Sequence, residues 1–139
     1  MNKALEAIQK YALGRIQQAG LGDSDFRVLE ALLHKGPLPV NTIGPKVNLT
    51  PGSISVAVGR LYSKGLVTRV ESAEDRRIRT VALTESGREL IAPIFRKHTA
   101  DIRRVFAEIP PSQLEQFERT LKKVGRHAEE LWASEKQRE

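Results

Sequence analysis

Six apolar side chains, Leu114, Phe117, Leu121, Val124, Ala128 and Leu131, recur at alternating steps of three and four over 18 residues. That spacing belongs to a helix whose apolar seam must lie against another helix. Ile109-Pro110-Pro111 breaks the chain just before it, and Ser112 with Glu115 stands where a capping box would open it. Most remaining positions of the stretch are charged or polar, so the seam is its main means of burial. The 139 residues are 40% hydrophobic and only 5% aromatic, with Leu, Ile, Val and Ala carrying the apolar content. Such a chain suits one domain, or a domain with an appendage, built of helices packed on helices.

Punctuation divides the rest. Leu5, Ile8, Ala12, Leu13 and Ile16 form a stripe over residues 3–18, ended by Gly20-Leu21-Gly22. Asp23 or Ser24 is expected to cap a second helix bearing Phe26, Val28, Leu29, Leu32 and Leu33, closed by Gly36-Pro37. A short helix is expected over 40–47. Thr50 then serves as N-cap, Pro51 takes the first helical position, and Gly65 ends the helix. Two β-prone runs, 66–71 and 78–83, flank the polar loop 72–77 and read as a hairpin. Leu83-Thr84-Glu85-Ser86-Gly87 opens a long helix to about residue 107, which Pro93 should bend.

Composition removes several classes of function. The absence of cysteine excludes disulfides, thiolate metal sites and a cysteine nucleophile. The longest uncharged stretch, Val47 to Gly59, has 13 residues and contains Pro51 and two glycines, too short and broken to span a bilayer. No apolar run follows a basic start, so a soluble, cytoplasmic protein without membrane contact is expected. No phosphate loop, nucleophile elbow or spaced carboxylate pair appears, so neither an enzyme nor a cofactor is expected. His98/Asp101 and His127/Glu130 stand at i, i+3, a spacing that chance supplies often, and no metal site is assigned to them.

The net charge of +6 is unevenly spread: residues 40–83 hold +4 of it, and no Asp or Glu occurs in the forty positions between Glu30 and Glu71. The chain's average would place about five acids there. An uncharged, partly buried segment and a surface kept clear for a polyanion both fit this gap. The helix from Pro51 decides between them. Ile54, Ala57, Val58 and Leu61 make a narrow buried stripe, while Gly52, Ser53, Ser55, Val56, Gly59, Arg60 and Ser63 face elsewhere. Small side chains let a backbone approach a second surface closely, and hydroxyls can bond phosphates or base edges. Arg76 and Arg77 on the hairpin loop suit a narrow minor groove, although a solvated loop would also carry them.

Helix, short helix, capped helix and Arg-tipped hairpin follow one another in the order of a winged helix-turn-helix. The stretches Gly36-Pro37-Leu38-Pro39-Val40, Leu49-Thr50-Pro51, Lys64-Gly65-Leu66-Val67-Thr68-Arg69, Asp75-Arg76-Arg77 and Leu83-Thr84-Glu85-Ser86-Gly87 resemble the MarR family of bacterial transcriptional regulators. From Gly65 to Gly87 the last three motifs fall in register within 23 residues. The resemblance implies a mainly α fold with a two- to three-stranded β wing. It implies a homodimer built from residues 1–22 and 84–139, and a DNA-binding lobe over 23–83. Transferred by position, the sites on double-stranded DNA are Thr50, Pro51, Gly52, Ser53, Ser55 and Val56 at the helix start, and Arg60 and Lys64 toward phosphates. Arg76, Arg77 and Arg79 form the wing, with Asp75 bracing Arg77. Val56 departs from the polar or basic residue that relatives often carry, and Gly59 from the Asp that many carry.

Gly-Pro-Leu-Pro-Val, Ile43-Gly44, Ile94-Phe95 and His98 look similar to the branch of the family that responds to quinones and related electrophiles. Without cysteine such a response would be non-covalent binding of a small-molecule effector. Tyr11, Phe26 and His34 are the residues to line an effector cleft, and each equally suits the core. The expected function is a ligand-responsive repressor on a pseudo-palindromic operator. The alternative is a dimeric helical adaptor or antirepressor that no longer binds DNA.

The seam generates a direct test. The chain should sediment as a dimer at micromolar concentration, and Leu121→Asp with Leu131→Asp should dissociate or unfold it. A monodisperse 15.5 kDa species from the unaltered chain would refute the pairing.

Overall fold

The computed structural model describes residues 2–71 and 79–136. In chain order these form α1 (Asn2–Gln18), α2 (Asp23–Lys35), β1 (Leu38–Pro39), α3 (Val40–Val47), α4 (Pro51–Ser63), β2 (Val67–Glu71), β3 (Arg79–Leu83), α5 (Glu85–Val105) and α6 (Pro111–Lys136). The fold is mainly α with one small antiparallel sheet, ordered β1-β3-β2. Val67 stands opposite Leu83 and Glu71 opposite Arg79, while Leu38 adds a short third strand opposite Val81. The chain divides into two compact units after Ile102.

The first unit holds the core. Its buried side chains come from α1 (Ile16), α2 (Phe26, Val28, Leu29, Leu32), α3 (Ile43), α4 (Ile54, Ala57, Val58, Leu61), the strands (Val67, Val81) and α5 (Ile91). The turn between α3 and α4 is set by close approach. Asn48 adopts the left-handed conformation (φ 54°), and the Leu49 N–H donates to the Gly44 carbonyl at 3.0 Å. A Cβ at Gly44 would stand 3.0 Å from the Leu49 carbonyl, so any larger residue crowds the turn.

Several expectations change at helix ends and faces. Gly22, in extended conformation, is the N-cap of α2 and its carbonyl accepts from Phe26 N–H at 2.9 Å. Asp23 lies inside the helix and pairs with Arg27, 2.9 Å away, and Ser24 accepts from Arg60, so neither caps. Leu5 on the expected stripe of α1 is 55% exposed, whereas Ala12 and Ile16 are buried. Helix α5 runs on through Pro93 and ends at Val105.

Thr84 joins α5 to the end of α4. Its hydroxyl accepts from Gly87 N–H (3.0 Å) and donates to the Gly65 carbonyl (2.7 Å), while its own N–H donates to the Leu66 carbonyl (3.1 Å). The helix turn rests directly on that peptide: a Cβ at Gly87 would lie 2.0 Å from the Leu66 carbonyl oxygen. The Leu-Thr-x-x-Gly motif is therefore a packing joint.

In the second unit α6 begins at Pro111, and the Pro110 carbonyl accepts from both Gln113 and Leu114 N–H groups. Ser112 thus sits within the first turn and is not the N-cap of a capping box. No described residue of α6 is buried; Phe117, Leu121, Val124 and Leu131 are each about half exposed.

The joint predicts a large cost for a small change. Gly87→Ala must displace backbone, and should lower stability by about 3 kcal/mol or more. A urea unfolding midpoint equal to that of the unaltered chain would contradict the contact.

Candidate nucleic-acid interface

Local chemistry shapes the start of α4 as expected. The Thr50 hydroxyl oxygen accepts from the Ser53 N–H at 3.2 Å and lies 2.9 Å from the Ser53 hydroxyl, and Pro51 opens the first turn. Ile54, Ala57, Val58 and Leu61 are buried at helical spacing. Gly52, Ser53, Ser55 and Val56 are exposed, with Val56 at 57%. The helix therefore offers a slender, uncharged N-terminal face whose peptide dipoles favour a nearby anion.

Arg60 has a partner that sequence reading did not foresee. Its Nε and Nη2 donate to the buried carboxylate of Asp25 at 3.2 and 2.7 Å, and Nη2 also donates to the Ser24 hydroxyl at 3.0 Å. The hydrogen bonds to Asp25, then its charge, raise the guanidinium above its ordinary pKa. Because the shift is upward from the ordinary guanidinium value, its contribution is complete at every pH below that value. Arg60 therefore fastens α4 to α2, with Nη1 alone uncommitted among the described residues. Arg27 adds a second tie by donating to the Val47 carbonyl at 3.2 Å. Lys64, the C-cap of α4, is exposed.

A groove of about 710 Å³ lies between α3, the start of α4 and the wing strands, lined by Asn41, Pro51, Ser55, Arg69 and Arg79 among others. Arg79 lies 3.5 Å from the Glu71 carboxylate, with both side chains exposed. Asp75, Arg76 and Arg77 lie outside the described residues. Arg69, in the groove wall, is not among the residues that the sequence singles out as DNA contacts. The signal was present: strand period places it on the same face as buried Val67, where an arginine needs a reason.

A second cavity, of about 270 Å³, is lined by Ile16, Gln18 and Ala19 of α1 and its following turn, and by Pro93, Ile94, Lys97, His98 and Asp101 of α5. The three expected cleft residues are not among its lining residues, but two of them touch residues that are. Tyr11 directs its hydroxyl at Asp101 Oδ1, 3.5 Å away. Phe26 meets His98 edge to face at 5.0 Å, and His34 meets Phe95 likewise at 4.5 Å. The buried Nδ1 of His98 has no hydrogen-bond partner among the described residues. His127 is 3.8 Å from Glu130, both exposed, and no three potential metal ligands converge among the described residues. No helix among these residues is long and apolar enough to cross a membrane.

Comparison with known proteins places this geometry in context. The sequence model of the MarR family matches residues 19–78. The HTH-type transcriptional regulator MhqR of Bacillus subtilis (strain 168) is 35% identical over 131 residues, covering 94% of this chain and 90% of that protein. AbsC, a MarR family transcriptional regulator from Streptomyces coelicolor, has the same fold, with a TM-score of 0.83 and 22% identity over 91% of this chain and 88% of its own. So does NadR, solved in complex with 4-hydroxyphenylacetate, at a TM-score of 0.74 and 20% identity over 88% and 86% of the two chains.

The Arg60 tie yields a stability test. Arg60→Ala leaves the Asp25 carboxylate buried without its main donor, and should cost about 2 kcal/mol, the range for charged hydrogen bonds reduced for the exposed arginine. Arg60→Lys, lacking the planar fork, should recover only part. Urea unfolding of both variants measures this; no loss in either would show that α4 is held by its apolar stripe alone.

Proposed function

The chain belongs to the MarR family of transcriptional regulators, and on that premise we propose that it is a dimeric repressor of a pseudo-palindromic operator, released by a small aromatic effector. The exposed N-terminal face of α4, beside an arginine-lined groove, is the observation that carries the DNA reading. In this architecture the start of the second helix of the motif enters the major groove. Ser53 and Ser55 can bond base edges there, and Val56 suits a thymine methyl. Lys64 then takes a phosphate. On the sequence alone, Arg76 and Arg77, braced by Asp75 and with Arg79 beside them, take the minor groove.

Residues 23–83 act in this reading as the DNA-binding lobe, and residues 1–22 with 84–139 as the dimerisation region. The half-exposed apolar seam of α6 supports that assignment. Paired lobes meet half-sites about 34 Å apart, so a small rotation of either lobe weakens binding. The cavity between α1 and α5 is the effector site, with Lys97 and the unpartnered His98 Nδ1 offering polar contacts to a phenol, quinone or aromatic acid. NadR, which holds 4-hydroxyphenylacetate, supports that ligand class.

Binding to upstream operator DNA and to random DNA across a salt series tests the proposal. Ser55→Ala or Val56→Ala should shift base preference at single positions by about 1–3 kcal/mol. Lys64→Ala should weaken both DNAs alike and reduce the salt slope by about one. If operator and random DNA are bound equally by every variant, α4 reads nothing and the adaptor reading stands. A panel of quinones, phenols and aromatic acids that leaves operator affinity unchanged would exclude an aromatic effector.

A further inference from the structure

Arg69 is a cation that the described residues do not neutralise. They give its guanidinium no hydrogen bond and no ion pair, and its Nε is buried without an acceptor. The group is nevertheless held in place. Its central carbon lies 4.9 Å from the centre of the Tyr62 ring on α4, and a Cβ at Gly59 would come within 3.5 Å of Nη2. A side chain at Gly59 would therefore meet the guanidinium at ordinary van der Waals contact.

Among the described residues nothing satisfies this group. A buried donor left unmet costs free energy, and stacking on a ring face supplies no acceptor for it. The groove that Arg69 lines opens beside Pro51 and Ser55 at the start of α4, has Arg79 in its wall, and has no acid among its described lining residues. A planar fork of donors beside a second arginine matches the oxygens of a phosphodiester. We propose that Arg69, oriented by Tyr62, binds a DNA backbone phosphate at the junction of α4 and the wing. Arg69 then fixes the register of the helix on the duplex and is blind to sequence. Tyr62 is a positioning residue, acting through the arginine.

The inference rests on the DNA-binding reading above, and one experiment separates their failures. Fluorescence anisotropy would follow binding of the full chain to operator and random duplexes across a salt series, with thermal unfolding run alongside. Arg69→Ala should weaken both duplexes alike by about tenfold and lower the salt slope by about one, with no fall in thermal midpoint. Arg69→Gln, which retains the stem and removes the charge, should do the same and serves if the alanine variant does not fold. Tyr62→Leu should weaken binding severalfold in the unaltered chain and have no further effect once Arg69 is replaced. Wild-type affinity and slope in Arg69→Gln would overturn the inference while leaving DNA binding intact. So would lost affinity with an unchanged slope and a lowered midpoint, the mark of a merely structural arginine. No binding of either duplex by the unaltered chain would overturn the DNA reading itself.

Discussion

The buried carboxylate of Asp25 ties two helices together, and the face that α4 presents depends on it. A helix with only Ile54, Ala57, Val58 and Leu61 to bury has a narrow stripe, which fixes its depth better than its rotation. The two-point grip of Arg60 on Asp25, joined by Ser24, supplies a directional restraint that apolar contact lacks. Gly44 and Asn48 set the turn that delivers the helix, and Thr84 with Gly87 secures its far end. The exposed helix start is consequently a rigid surface carried on a small core.

Elements whose signals are local were legible in the sequence. Thr50 and Pro51 open α4 through contacts within four residues, and the stripe behind them needs only helical period. The hairpin register follows from alternation, with Val67 and Val81 buried. The seam of α6 was readable for the same reason, although the single chain buries none of it.

Features made by distant residues were not legible. Asp25 and Arg60 are 35 positions apart, so no window of sequence joins them. Asp23 and Ser112 have cap chemistry but are the first and second residues of their helices, because Gly22 and Pro110 supply the carbonyls instead. Tyr11, Phe26 and His34 were chosen for their polar or aromatic character. The cavity between α1 and α5 is walled by Ile16, Ile94, Lys97, His98 and Asp101, brought together from positions about eighty residues apart.

The joint at Gly87 has a mechanical consequence. A helix of the length of α5 extends about 30 Å, so displacing its far end by ~3 Å turns its first turn by roughly 6°. With the Leu66 carbonyl seated where a side chain would be, that turn has no slack in which to dissipate the angle. The tilt passes instead to the peptide that ends α4. The fulcrum of the lever that α5 forms is a single missing methyl group, placed where the helix bears on the chain leaving α4.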